Sequence, residues 1–182
     1  MNQAIILSEA DNGPKEYWPL CETTSCRWYY EQYFLPYLAD IKHVEFSAAG
    51  YYNIAIYFSD GTLLIGKNDP WYYGRVVFFF FPNAGNFDHN TFGYVGSDGT
   101  LSREGLGISF WSFCFVPSER GQKFHYKKGF EPFKINLEEF SQDKLEQGEF
   151  QCTKNGQNRS YCTALIQLNG WKIPKDYPFK VR

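Results

Sequence analysis

The chain has 182 residues and a formal net charge of −2, from 18 basic and 20 acidic side chains. That length fits one domain, and the near-neutral charge argues against a broad surface for nucleic acid or anionic lipid, so we expect no nucleic-acid partner. Aromatic residues make up 20% of the chain, which excludes a disordered protein and favours strands over a helical bundle. We therefore expect residues 1–182 to form a single α+β domain.

The chain starts directly in a helical pattern. Residues 4–10 predict a helix that ends near Asn12, because Gly13 and Pro14 form a regular helix stop. No N-cap residue precedes this helix, so we interpret residues 1–13 as the end of a longer helix and the chain as a piece of a longer protein. No signal peptide and no run of 18 apolar residues is visible in the sequence.

A second short helix is predicted over residues 27–38, with Ser25 as a candidate N-cap. Helical spacing would allow Trp28, Phe34 and Leu35 to share one face. We expect Trp28, Tyr33 and Phe34 to lie between this helix and the sheet. Pro36 should end this helix or lie in a tight kink.

From residue 50 the apolar pattern changes to the period of two that strands show. Residues 51–58 and 62–65 predict a hairpin, because an Asp-Gly turn lies between the two apolar runs. Residues 75–81 form a continuous apolar run that indicates a central strand, and residues 108–116 predict another strand. Residues 137–147 fit a short helix or a loop, and residues 163–168 fit a strand or a helical turn.

The five cysteines are most simply explained as two local disulfides and one buried thiol at Cys114. The disulfide candidates are Cys21, Cys26, Cys152 and Cys162, and their spacing alone does not fix the pairing. A zinc site is less favoured, because the chain has no Cys-x-x-Cys motif. A disulfide would imply an oxidising, extracytoplasmic compartment.

Tests for catalytic motifs give no candidate active site. The carboxylates that could work in pairs are Glu45, Asp60, Asp98, Glu104 and Glu131. Asp60 and Asp98 each lie in an Asp-Gly-Thr turn, where aspartate is favoured by the turn itself and needs no catalytic role to explain it. We predict that the chain is not an enzyme and has no cofactor. Calcium held by the loop carboxylates of Asp60, Asp69, Asp88 and Asp98 is the less favoured alternative.

Three consecutive aromatic residues, Trp71, Tyr72 and Tyr73, form a candidate surface platform on which a sugar ring could stack. The alternative is that these side chains fill the edge of the core or a contact between subunits. Their exposure would distinguish the two interpretations.

Four segments together resemble one family, the type IV pilin-like proteins, which include minor pilins and the pseudopilins of type II secretion. Residues 3–13 look like the tail of the long N-terminal helix of these proteins. Residues 33–38 resemble the step that follows it, and residues 60–62 resemble a hairpin of the sheet. Residues 162–178 are similar to the closing segment of some members. The leader, the processing site and the apolar helix that begin family members are not in this sequence.

The resemblance implies a head domain in which a truncated N-terminal helix packs on an antiparallel β-sheet. It implies a non-enzymatic structural subunit of a type IV pilus or a type II secretion pseudopilus. Its partners would be other pilin or pseudopilin subunits, and a helix upstream of Gln3 would anchor it in the bacterial inner membrane. Residues 152–162 would form an exposed disulfide-bounded loop. The alternative that we keep is an extracellular carbohydrate- or ligand-binding β-rich domain, and a small secreted hydrolase is less favoured than either.

Overall fold

The computed structural model describes residues 1–19, 26–47, 52–69, 75–88, 92, 105–119, 125–135, 137 and 140–181. Its α-helices are α1 (Asn2–Asn12), α2 (Arg27–Tyr33), α3 (Gln142–Leu145) and α4 (Cys162–Leu168). Its strands are β1 (Ile41–Phe46), β2 (Ile54–Phe58), β3 (Leu63–Asp69), β4 (Arg75–Phe81), β5 (Trp111–Phe115) and β6 (Phe130–Pro132). Short 3₁₀ helices span Lys15–Tyr17, Leu35–Tyr37 and Ala84–Asn86.

The strands form one antiparallel sheet in which each strand pairs with the next along the chain, in the order β1-β2-β3-β4-β5-β6. This confirms the α+β class. The predicted hairpin is β2 and β3, and the Asp60 carboxylate closes its turn by accepting hydrogen bonds from the Thr62 amide and hydroxyl. The apolar run of residues 75–81 is β4, which pairs on both sides and is central as predicted.

Helix α1 confirms the prediction at the start of the chain. It ends at Asn12, and Gly13 follows with φ 77°, a left-handed conformation that suits a residue without Cβ. Ala4, Ile5 and Ser8 are its buried residues.

Helix α2 begins at residue 27 as predicted, but it ends at Tyr33 rather than at residue 38, and the 3₁₀ helix Leu35–Tyr37 follows it. The predicted inner face is wrong for Trp28, which is 44% exposed. Tyr29, Tyr30 and Tyr33 face inward instead. The Tyr30 hydroxyl donates a hydrogen bond to the Asn68 side chain on β3, so its polar tip is satisfied within the core.

The sheet is covered on both faces, because its side chains alternate between two apolar clusters. The cluster on the α1 and α2 side includes Ile5, Tyr30, Phe34, Ile54, Ile56, Leu64, Val76, Phe78 and Phe115. The cluster on the α4 side includes Ala55, Leu63, Ile65, Val77, Phe79, Phe81, Cys114, Cys162, Ala164 and Leu165. The molecule therefore has three layers, with the sheet in the middle.

The C-terminal part resolves two alternatives that the sequence left open. Residues 163–168 belong to a helix, α4, and residues 142–145 of the segment 137–147 form a helix, α3. Ser141 caps α3 by accepting a hydrogen bond from the Lys144 amide. Among the described residues, no helix has both the length and the apolar character that crossing a membrane requires.

Candidate functional site

Helix α1 carries apolar side chains on two sides. Ala4 and Ile5 are buried against the rest of the protein, with exposed fractions of 3% and 2%. Ile6 and Leu7, the α1 patch, are exposed to 65% and 48%. A helix with one packed face usually turns polar side chains to solvent, so the α1 patch is the more informative side of this helix.

Both ends of α1 are fixed to the rest of the domain by side-chain hydrogen bonds. Asn2 bonds the edge strand β6 twice: its Nδ2 donates to the Phe130 carbonyl (3.1 Å), and its Oδ1 accepts from the Phe130 amide (2.7 Å). At the other end, Asn12 donates to the Tyr37 hydroxyl (2.8 Å), and the Trp18 indole donates to the Gly13 carbonyl (2.8 Å). The α1 patch is therefore presented in a defined orientation.

A groove of about 1040 Å³ lies between α1 and the sheet. Its lining is mostly apolar and comes from α1, the segment 37–40, the β2–β3 turn and strands β2 to β6. The apolar side chains of the lining are Met1, Ala4, Leu7, Leu38, Ala39, Phe58, Leu64, Phe80, Phe113 and Phe130. Phe113 and Phe130 stack on each other with ring centroids 4.6 Å apart.

The end of the groove at the β2–β3 turn is acidic. Asp40 and Asp60, which we call the acidic end, both line it. Hydrogen bonds from Thr62 lower the pKa of the Asp60 carboxyl, so this side chain stays ionised. Asp40 has φ 59°, and its carbonyl accepts hydrogen bonds from the Ser59 amide (2.9 Å) and hydroxyl (3.1 Å). Backbone bonds thus hold the two aspartates on adjacent segments.

A second polar cluster lies on the α4 side of the sheet, around His125. This histidine is completely buried, and its Nε2 accepts a hydrogen bond from the Lys134 amide (3.0 Å). Burial lowers the pKa of His125 to about 3, and the charges of Lys134, Lys128 and Arg75 lower it further. Lys134 is also buried, and its ammonium group lies 3.4 Å from the Glu131 carboxylate and over the Phe140 ring. The imidazole is therefore neutral at neutral pH.

The disulfide predictions have two outcomes. Cys152 and Cys162 are bonded, with Cα atoms 4.7 Å apart, and both are buried. The residues between them include the exposed Lys154, and the cysteines themselves are part of the core on the α4 side. Cys26 is also disulfide-bonded, whereas Cys21 lies outside the described residues. The thiol of Cys114 is buried on β5, as expected.

The other residues singled out from the sequence do not converge on one place. Trp71, Tyr72 and Tyr73, like Asp98 and Glu104, lie outside the described residues. Glu45 faces His43 across 3.1 Å on β1, while Glu131 lies on β6 beside Lys134. The described part of the chain contains no group of three or more His, Cys, Asp or Glu side chains that could hold a metal ion.

Sequence reasoning missed the groove and the His125 cluster. The groove combines residues from the first half of α1, from the segment 37–40 and from five strands, and none of these stretches is unusual alone. The exposure of Ile6 and Leu7 had one sequence signal: four consecutive apolar residues, from position 4 to position 7, cover more than one face of a helix.

Comparison with known protein families gives one match. The model described as "Family of unknown function (DUF6613)" matches residues 1–181. Neither the curated proteins nor the solved structures contain a match to this chain.

Proposed function

We propose that this chain, which belongs to the family of unknown function DUF6613, is a non-enzymatic structural subunit that assembles with other subunits through α1. In its finer form, the proposal is a minor pilin or pseudopilin of a type IV pilus or a type II secretion pseudopilus. A helix upstream of Gln3 would then anchor the subunit in the inner membrane, with the described domain on the extracytoplasmic side.

The α1 patch carries this proposal. Burial of apolar surface is the main favourable term in protein association, and Ile6 and Leu7 offer that surface on a helix whose other side is already packed. The hydrogen bonds of Asn2 and Asn12 hold the helix in place, so a partner does not have to order it on binding.

The disulfides support the extracytoplasmic location. Disulfides persist in oxidising compartments and are rare in the reducing cytosol. The Cys152–Cys162 bond closes a short segment directly before α4, and Cys26 is bonded directly before α2. Both bonds would be stable in a protein that folds outside the cytoplasm.

The proposal is tested by photo-crosslinking in the source cells. A photoreactive phenylalanine replaces Ile6 in the full-length protein, and in a matched variant it replaces Gln142, an exposed residue of α3. We expect the residue at position 6 to give crosslinks to further subunits and the residue at position 142 to give few. Equal yields from the two positions, or none from position 6, would contradict assembly through α1.

The pilin-like form has its own test. It requires the full gene to encode an apolar segment of about 20 residues immediately before Gln3, long enough to cross a bilayer. It also requires the protein to be present in fibres sheared from the cell surface. If the gene encodes no such segment, the pilin-like form of the proposal is wrong. The crosslinking experiment would then still test assembly through α1.

The carbohydrate-binding alternative rests on Trp71, Tyr72 and Tyr73, which lie outside the described residues. It predicts a hit on a glycan array that Trp71→Ala abolishes.

A further inference from the structure

We propose that the groove between α1 and the sheet is a binding site for an amphiphile that joins an apolar chain to an organic ammonium group. The apolar chain would lie along Leu64, Phe80, Phe113 and Phe130, and the ammonium group would lie at the acidic end. This site goes beyond the proposed assembly function and does not depend on it.

The size and lining of the groove suit a small molecule. Ligand sites in proteins typically measure about 300–1,000 Å³ and combine apolar and aromatic walls with a few polar groups. This groove measures about 1040 Å³ and has that composition. Its floor is part of the sheet, where Leu64 is 2% exposed and the three phenylalanines beside it are only partly covered.

The charge at the acidic end favours a cation. Among the described residues, the groove is lined by two carboxylates, Asp40 and Asp60, at this end, by Met1 with its half-buried α-ammonium group, and by no lysine, arginine or histidine side chain. Hydrogen bonds from Thr62 keep Asp60 ionised, and both of them are accepted by the same carboxylate oxygen, Oδ1. An ammonium group at this end gains two opposite charges, whereas a carboxylate or phosphate group would meet two like charges.

The aromatic floor favours the same chemistry. Organic ammonium groups are attracted to the faces of aromatic rings, and Phe58, Phe80, Phe113 and Phe130 all line the groove. Phe58 directly precedes the turn that carries Asp60, so an aromatic ring adjoins the acidic end. An alkyl chain attached to the ammonium group can then follow the apolar floor towards Phe130.

Isothermal titration calorimetry tests the site with two probes that share one chain length, dodecyltrimethylammonium and dodecanoate, each below its micelle concentration. We expect the cation to bind about 10-fold more tightly than the anion in low salt, and the difference to shrink as salt is added. Equal affinity for the two probes, or no binding of the cation, would overturn the proposal.

The double variant Asp40→Asn/Asp60→Asn locates the charge effect. Asparagine tolerates the left-handed conformation of residue 40, and at residue 60 it gives the Asn-Gly pair that favours hairpin turns. We expect about a 3- to 10-fold loss of affinity for the cation and no loss for the anion. The control is Asp143→Asn/Asp176→Asn, which removes two exposed carboxylates outside the groove and should leave both affinities unchanged.

Two further outcomes also count against the site. If the control weakens cation binding as much as the double variant does, the probe responds only to net charge. If the cation binds only while sedimentation velocity shows the protein changing its oligomeric state, the groove is covered by a second copy of the chain instead.

Discussion

His125 is a single residue whose protonation is coupled to folding. In the folded protein, its Nε2 accepts the Lys134 amide hydrogen, which an imidazolium cannot do. Burial and the nearby positive charges of Lys134, Lys128 and Arg75 lower its pKa to about 3, from an ordinary value of 6.5. Between these two pH values the unfolded chain therefore binds up to one more proton than the folded chain, with the largest difference near the middle of the interval.

This difference predicts a loss of stability in acid. The contribution of His125 is complete above pH 6.5 and is lost progressively as the pH falls towards 3, because the depressed pKa favours the neutral form in the folded state. Between pH 7.5 and pH 5, linkage gives a loss of at most about 2 kcal/mol in the free energy of unfolding. Urea unfolding across this range measures it.

His125→Gln keeps a hydrogen-bond acceptor and removes the titration, so this variant should lose less stability between pH 7.5 and pH 5 than the wild type does. His43→Gln, which removes an exposed histidine of β1, is the control and should keep the wild-type dependence. A His125→Gln variant with the wild-type dependence on pH would show that His125 is not the coupled group.

Gly66 is a residue at which the packing of α2 on the sheet excludes any side chain. A Cβ atom there would lie 2.8 Å from Ile54 Cγ2 and 2.8 Å from the Tyr30 hydroxyl oxygen. Both neighbours are fully buried, and the Tyr30 hydroxyl is engaged with Asn68. We expect Gly66→Ala to lower the free energy of unfolding by about 1–3 kcal/mol, measured in urea. Gly85→Ala is the control, since its Cβ would meet only the exposed Asn83 side chain, and a similar loss there would contradict the packing argument.

At the scale of elements, the sequence correctly predicted the helices and strands in which the hydrophobic pattern and the residues at the boundaries indicate the same structure. Helix α1 combines an apolar run with Gly13 and Pro14, and β4 is a continuous β-branched and aromatic run that ends before Pro82. Strands β1 and β6 were missed because they are edge strands. The burial of β1 does not alternate, and β6 has three residues, so tertiary pairing rather than a local pattern makes them strands.

The α1 patch and the groove also differ in how far a local sequence pattern could predict them. The exposure of the α1 patch could be suspected from its four apolar positions in a row. The groove could not, because it exists only where residues distant in sequence meet, such as Asn2 and Phe130. The inner face of α2 also depends on tertiary contacts. Tyrosines occupy this face because the Tyr30 hydroxyl donates a hydrogen bond to Asn68 and the rings pack on the sheet.

The Cys152–Cys162 disulfide ties α4 to the segment that follows α3. Its loop spans a sequence separation of 10, for which the loop-entropy estimate gives about 3 kcal/mol of stabilisation. We expect Cys152→Ala/Cys162→Ala to lower the free energy of unfolding by about that amount, measured by urea unfolding under non-reducing conditions. Cys114→Ala is the control, because it removes one buried thiol and no crosslink. If the control loses as much as the double variant, packing rather than the crosslink explains the effect.

At the scale of the whole molecule, two exposed apolar patches lie in different layers. The α1 patch belongs to the layer on one face of the sheet. Leu168, Trp171 and Ile173, the C-terminal patch, are exposed to 41%, 58% and 47%, and they lie at the end of α4 and directly after it, on the other face. If the α1 patch of one copy contacts the C-terminal patch of the next, every added copy offers a further free patch, and repetition gives a filament, or a ring where the rotation between copies closes.

This head-to-tail contact predicts a specific result for mixtures of two variants. We expect the wild type to form species larger than a dimer as its concentration rises, while Ile6→Glu and Ile173→Glu are each monomeric because a buried charge opposes the contact. An equimolar mixture should form dimers only, since each variant retains the patch that the other has lost. Sedimentation velocity measures these states.

The control is Tyr17→Glu, which changes an exposed aromatic residue outside both patches and should assemble like the wild type. A mixture that stays monomeric would exclude the head-to-tail contact, and a single variant that still dimerises would favour a symmetric contact through its remaining patch.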